Sequence, residues 1–464
     1  MTIARSADFV NAVIKAYDVR GVVGDQIDAE FVRDVGASFA RLMRAEDARR
    51  IVIGHDMRDS SPELAEAFAD GVLGQGLDVV HIGLASTDQL YFASGKLDCP
   101  GAMFTASHNP ARYNGIKLCR AKALPVGQDT GLATIAAEVA EASGGVPAYD
   151  GPTGESTRID LLDEYAEFLR GLVDLSGIRP LTVAVDAGNG MGGHTVPAVL
   201  GALTQMRIVP LYFELDGSFP NHEANPLDPK NLVDLQALVR ESGADIGLAF
   251  DGDADRCFVV DENGDPVSPS AITALVAERE LAKEPGGVII HNLITSRSVP
   301  ELVTELGGTA VRTRVGHSFI KQQMAATGAV FGGEHSAHYY FRDFWGADSG
   351  MLAALHVLAA LGEKKQPMSE LTESYTGYAA SGEVNSTLAD TADTADRTRA
   401  VLDAFADRAV SVDRMDGVTV QLPEQAWFNL RASNTEPLLR LNVEARSPEE
   451  VDALVTEILG IVRA

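Results

Sequence analysis

RIVIGHDMRDSSPELAEAFADGVLGQGLDVVHI, residues 50–82, holds two short Val- and Ile-rich runs, Arg50–Gly54 and Val79–Ile82, around the amphipathic stretch Ser61–Gly76. Apolar runs of this length suit buried strands, and the stretch between them has helical spacing, so the segment is a βαβ unit. The rhythm recurs at Leu181–Asp186, followed by the glycine-rich Ala187–Gly193 and a helical stretch. It recurs again at Gly287–His291, ahead of a helix near Val299–Leu306. Three α/β domains of similar size follow, each with a mostly parallel or mixed sheet covered by helices.

Composition shifts mark the joints. Ser143–Gly154, SGGVPAYDGPTG, is a Gly/Pro-rich junction. A second break is expected just after the aspartate-rich Asp251–Arg256, and a third near Gly362–Pro367. The predicted domains are therefore 1–150, 151–257, 258–368 and 369–464. The last is a smaller α+β domain, with strand-like Val418–Leu422, Trp427–Ala432 and Leu438–Ala445 before a capped helix running from Ser447 to about Val462.

A chain of 464 residues fits this count, at roughly 100–200 residues per domain. Its 38 Lys plus Arg against 66 Asp plus Glu leave a net charge of -28, which repels nucleic acid and anionic membranes. An anionic small substrate remains compatible, because a few arginines, a cation and backbone amides can reverse the potential inside one cleft. Cys99, Cys119 and Cys257 show neither metal-type nor CxxC spacing, so a reducing compartment is expected. The N-terminal stretch carries acids and lacks a long apolar core, and no segment approaches roughly 20 uninterrupted apolar residues. A cytoplasmic location is the expectation.

Four loops carry chemistry. Thr105–Pro110, TASHNP, exposes a serine hydroxyl beside a histidine on a turn that Asn-Pro enforces, although a plain polar turn would look the same. Asp251–Arg256, DGDADR, ends a buried strand and offers three alternating carboxylates to one hard cation, with an arginine for phosphate. A Ca²⁺ loop is the competitor, since Glu262 stands twelfth from Asp251. Arg256 occupies the sixth position where such a loop needs Gly, which favours catalytic Mg²⁺. Gly332–His338, GGEHSAH, offers Glu334, Ser336 and His338 as donors and acceptors suited to sugar hydroxyls, although an ordinary polar loop would look the same. Arg431–Pro437, RASNTEP, gathers a guanidinium, side-chain donors and turn amides as a phosphate cradle requires, or simply caps a helix.

Taken together and in this order, the four loops resemble those of the α-D-phosphohexomutase family, in its phosphomannomutase/phosphoglucomutase branch. The similarity runs from Tyr17–Gly21, YDVRG, to beyond Asn434. It implies four domains around a central cleft and interconversion of mannose, and also glucose, 1- and 6-phosphates through a phosphoserine and a hexose 1,6-bisphosphate that also serves as activator. Ser107 would carry the phosphoryl group, with Mg²⁺ held by Ser107, Asp251, Asp253 and Asp255. His108 and Lys117 would handle protons, and Arg20 would touch the reacting phosphate. Arg256, His317, Glu334, Ser336, His338, Arg431, Ser433, Asn434 and Thr435 would bind substrate. A monomer or homodimer is implied.

The resemblance has departures. Asp88 stands where many relatives have proline, and His335 and Ala337 replace residues more often Met and Gly, changes expected to bear on sugar preference. Asn292–Arg297 lacks the lysine relatives place near the sugar, with Arg297 as the available substitute. Alternatives are a phosphoglucosamine mutase, whose relatives show GEQSGH and GTEP-type loops, a metal phosphatase using Ser107, or a non-catalytic sugar-phosphate binding protein.

Overall fold

The computed structural model describes residues 5–142, 145–388, 393–432 and 438–464. Three of its sheets are mixed. The first runs, edge to edge, Val19–Val22, Tyr113–Cys119, Gly101–Phe104, Arg50–His55, Asp78–Leu84, Ser156–Arg158. Its inner strands are parallel, joined by the helices Ser61–Leu73 and Thr87–Leu97, and Tyr113–Cys119 returns antiparallel beside Gly101–Phe104.

The second sheet repeats the plan. Leu181–Asp186, Met206–Leu211 and Ile246–Phe250 are parallel, and Cys257–Val260 folds back antiparallel on Ile246–Phe250. The expected division after residue 257 therefore falls inside a strand of this sheet, because Cys257–Val260 is as apolar and buried as the strand it pairs with. Likewise Ser156–Arg158 extends the first sheet past residue 150. In the third sheet Val288–Asn292 is flanked in parallel by Thr309–Thr313 and Phe331–Gly333, and Tyr339–Phe341 returns antiparallel. The fourth sheet, of Ala379–Thr387, Leu438–Ala445, Trp427–Ala432, Val418–Gln421 and Ser411–Asp413, is antiparallel throughout, with helices Asp393–Phe405 and Pro448–Val462 against it.

Three of the chemical loops are thus turns between two antiparallel neighbours. Residues 105–112, 251–256 and 334–338 leave one strand of a mixed sheet where it stops being parallel, while residues 433–437 lie outside the described residues. A hairpin turn brings two strand ends together, so its residues project from the sheet edge as a unit.

One apolar core runs through the first three domains, joining Leu90, Phe92 and Met103 of the first to Val185 and Phe250 of the second and Leu275 and Leu355 of the third. A second core fills the other face of the first sheet, and the C-terminal domain has a core of its own around Phe405, Phe428 and Leu441. Among the described residues no helix is long and apolar enough to cross a membrane.

Candidate active site

Ser107 sits at φ +47°, the left-handed region that a non-glycine residue enters only when its surroundings hold it there. The holder is Arg58. Its guanidinium, buried and paired with Asp56, donates to the carbonyls of Ser107 (2.9 Å), Asn109 (2.7 Å), Pro110 (3.0 Å) and Tyr113 (3.1 Å). From the other side the metal-loop backbone presses in: a Cβ on Gly252 would stand 2.4 Å from the Ser107 carbonyl oxygen. Only glycine allows that approach.

The Ser107 hydroxyl donates to Asp251 Oδ2 at 2.9 Å. Asp251, Asp253 and Asp255 are all buried and can bring one oxygen each within 4.8 Å of one another. Asp253 Oδ1 and Asp255 Oδ1 have no hydrogen-bond partner. Three converging buried carboxylates with spare oxygens fit a hard divalent cation. Burial, partly offset by Arg256 and compounded by Asp253 and Asp255, pushes the Asp251 carboxyl up to about 7, the crowding that such a cation would relieve. The Ca²⁺-loop alternative is not the fold here: Cys257–Val260 is a strand, and Glu262 accepts from Ser369 N and Oγ.

Cations surround this cluster. Lys117 donates to Asp253 Oδ2 (2.7 Å) and Asp255 Oδ2 (2.6 Å), and those carboxylates raise its pKa in spite of burial. Arg256 donates to Asp251 Oδ2 at 2.8 Å and reaches His108 Nδ1, which itself lies 3.3 Å from Ser107 Oγ. Burial and then the neighbouring Arg256 push the His108 imidazole well below its ordinary value. Arg20 donates to Asn109 Oδ1 at 2.6 Å and pairs with Asp18.

The third turn docks directly on the second through an antiparallel bridge between Arg256 and His338. His338 Nε2 stands 3.6 Å from Asp255 Oδ1, and its Nδ1 lies 3.1 Å from Ser336 Oγ. Glu334 is buried and internally satisfied, accepting from Asn292 Nδ2 (3.1 Å), Gly316 N (3.1 Å) and Tyr340 OH (2.7 Å). His317 opens the helix His317–Thr327, meets the ring of Tyr17 at 5.4 Å, and is pushed down to about 3 by burial and then Lys321. Arg431, at the end of its strand, is buried with Glu383 at 3.6 Å and lies within electrostatic reach of Glu334 and Tyr17. Its companions Ser433, Asn434 and Thr435 lie outside the described residues. Arg297 does not stand in for the absent lysine. It turns to the fourth domain and donates to Gln421 Oε1 (2.7 Å) and the Gln425 carbonyl (3.1 Å).

Ser107, His108, Lys117, Arg20, the three aspartates, Arg256, His338, Ser336, Glu334 and His317 thus come from three domains into one cleft that Arg431 approaches from a fourth. The sequence matches the family models "Phosphoglucomutase/phosphomannomutase, alpha/beta/alpha domain I" over residues 11–144, domain II over 163–264, domain III over 268–378 and the C-terminal domain over 383–461. A phosphomannomutase of Salmonella typhimurium is 40% identical over 439 residues, which cover 93% of this chain and 94% of that protein. The chain belongs to the phosphoglucomutase/phosphomannomutase family. A Xanthomonas campestris protein named for phosphohexose mutases is 40% identical over 97% of this chain and 98% of its own length. The crystal structure of a family member from Burkholderia thailandensis superposes with a TM-score of 0.87 at 32% identity, covering 97% of this chain and 98% of that one. This family membership makes the chain a mutase of the phosphohexomutase kind, and the site provides the acidic cluster for a metal.

Several residues of the cleft escaped sequence reasoning. Arg58, Thr87, Asn292, Tyr340, Lys321 and Asp348 lie outside or at the margins of the four loops, where a single polar residue beside a strand carries no distinguishing pattern. Arg58 alone had a signal, the Asp-x-Arg step of HDMRD directly after a strand.

Proposed function

We propose that this chain is a phosphomannomutase that also accepts glucose phosphates, acting as an intramolecular phosphotransferase with Ser107 as carrier. The observation that carries this is the Ser107 hydroxyl 2.9 Å from Asp251 Oδ2, within a cluster of three buried carboxylates. Asp251, Asp253, Asp255 and Ser107 would hold Mg²⁺, which would supply the positive charge that phosphoryl transfer requires. Arg20, Arg256 and Lys117 surround the carrier with further positive charge. The bond from phosphorus to Ser107 Oγ breaks as a new one forms to the free hydroxyl of a hexose monophosphate, and His108 and Lys117 exchange the hydroxyl proton. The bisphosphate reorients, Ser107 takes the opposite phosphate, and the isomer leaves.

Arg431, with Ser433, Asn434 and Thr435, anchors the phosphate that is not reacting. Ser336, His338 and His317 face the sugar, while Glu334, satisfied by Asn292, Tyr340 and Gly316, shapes the loop and contributes its charge. The same residues must receive both orientations of the bisphosphate, so a grip that ignores C2 suits mannose and glucose alike.

Coupled assays with mannose 1-phosphate, glucose 1-phosphate and glucosamine 1-phosphate, with and without Mg²⁺ and a trace of hexose 1,6-bisphosphate, test the proposal. Turnover of the first two, dependent on Mg²⁺ and stimulated by the bisphosphate, is expected. Intact mass should show a population heavier by about 80 Da, one phosphoryl group, localised to Ser107. Retained isomerisation by Ser107→Ala would overturn the carrier assignment, and release of free phosphate at the rate of turnover would identify a phosphatase instead.

A further inference from the structure

Asp88, the residue standing where many relatives of the family carry proline, does not face the sugar. It is fully buried in the first turn of the helix Thr87–Leu97, where the first three domains meet. One carboxylate oxygen accepts from Tyr165 OH of the second domain at 2.7 Å and from Ser349 Oγ of the third at 2.6 Å. The other accepts from Ser86 Oγ, the cap of its own helix. Burial pushes the carboxyl up to about 6, and the three hydroxyls pull it back toward the ordinary range. Proline at this point suits the helix start but brings no acceptor, so the junction would lose the one group on which all three hydroxyls converge.

What the helix start holds makes this junction matter. Thr87, the preceding residue, donates its backbone N–H to the Asp253 carbonyl (3.0 Å) and its hydroxyl to Asp253 Oδ2 (2.6 Å). On the other side, Ser349 caps the helix Gly350–Gly362 and follows Asp348, which pairs with Lys321 at 2.7 Å and lies in reach of both Asp255 and His338. Gly350 lets that helix start lie on the Arg256 backbone, since a Cβ there would stand 2.6 Å from the Arg256 carbonyl carbon. Displacing Asp88 therefore moves two supports of the aspartate loop together.

We propose that Asp88 is a positioning residue for phosphoryl transfer, fastening three domains so that Thr87 and the Asp348 segment hold the aspartate loop and His338 in register with Ser107. The role rests on the function proposed above. It assigns Asp88 to rate and not to sugar choice.

The test compares Asp88→Ala with Asp88→Asn in the full chain. Asparagine keeps an oxygen for Tyr165 and Ser349, and its amide can donate to a rotated Ser86 hydroxyl. Alanine keeps nothing. Asp88→Ala should lose about 10- to 100-fold in kcat with KM within about threefold, the scale of a misplaced catalytic group. Asp88→Asn should recover most of that loss, and neither should alter the ratio of mannose to glucose turnover. Where Asp88→Ala does not fold, Ser349→Ala and Tyr165→Phe, which each remove one donor, should give smaller losses of kcat at constant KM. Unchanged kcat in variants of lowered Tm would show a purely structural role and overturn the proposal, as would a changed sugar ratio. Absence of mutase turnover in the wild-type chain would overturn the function instead.

Discussion

The first three domains and the fourth are attached in different ways. The first three share one apolar core, meet at a buried carboxylate and close over aromatic contacts in which Phe92, Phe168 and Trp345 each come from a different domain. The fourth has a separate core and joins the third through polar contacts: Arg297 to Gln421, Gln425 and Glu444, Arg312 to Asp413 and Thr419, and Val315 N to Asp416. Beside them lies a cavity of about 200 Å³, lined by Ser270, Ser296, Asn442 and Glu444. Ser107, the acidic cluster and the Glu334–His338 turn occupy the fused part, where sub-ångström placement would matter for the proposed transfer. Arg431, proposed to anchor the distal phosphate, belongs to the part joined by polar contacts, an arrangement that would suit a cleft admitting the proposed bisphosphate and letting it turn.

The strongest test of fusion is Arg58→Leu. It strands Asp56, whose carboxyl burial already pushes up, and leaves four carbonyls of the Ser107 turn without their donor. Removing one partner of a buried ion pair costs about 3–5 kcal/mol. In urea denaturation the loss should appear in a single transition shared by the first three domains, with phosphoserine absent from the surviving fold. A transition of the first domain alone, leaving the other two intact, would break the contrast.

Next in size is a pH effect at the three-domain junction. Asp88 titrates at about 6 when folded, against 3.8 ordinarily, with burial the main cause. Because the folded value is the higher, the stability it contributes is complete below the unfolded value and is lost as pH rises through about 6. Asp88→Asn has no such loss, so its stability relative to the wild type should rise between pH 4 and pH 8 by about 2–3 kcal/mol. Thermal unfolding across that range checks it, and a pH-independent difference would place the charge outside the core.

Arg297→Ala should do less to stability and more to binding. Its contacts are partly exposed, worth about 1 kcal/mol or less together. If they set how the fourth domain presents Arg431, KM should rise by up to about fivefold, equivalent to about 1 kcal/mol, with kcat within about threefold. An equal fall in kcat would mean that the fourth domain also positions the reacting groups.

The sequence revealed the α/β plan because parallel strands buried on both faces leave continuous apolar runs, such as Arg50–Gly54 and Leu181–Asp186. It also singled out the three aspartates by their alternation at a strand end, and Ser107 only through the order of the four loops; the fold brings the Ser107 hydroxyl to Asp251 within that acidic cluster. It did not show that Cys257–Val260 pairs back on Ile246–Phe250, because apolar runs do not announce their partners. Nor did it show Arg58, Thr87 and Asp88 at work: the contacts that tie them to other loops and domains lie 49 to 261 residues away in the chain, and no local spacing encodes such a meeting. Asp88 was legible only as a departure, and a departure tells where to look without telling what is there.

The smallest effect isolates backbone strain within the fused core. Ala337, fully buried in the sugar loop, sits at φ +64°, where relatives more often carry Gly. Ala337→Gly removes one methyl, about 0.8 kcal/mol of burial, and adds about 0.5–1 kcal/mol of glycine entropy. Against this it relieves about 1–2 kcal/mol of left-handed strain, so the sum lies near zero. Ala353, equally buried in the helix Gly350–Gly362, has no strain to relieve, and Ala353→Gly should lose about 2 kcal/mol from the same methyl plus helix propensity. Both residues belong to the core shared by the first three domains and report on the same unfolding transition. The gap between the two variants therefore reads the strain directly, and equal losses would mean that the sugar loop relaxes its backbone by moving, as a loop in a loosely held domain would.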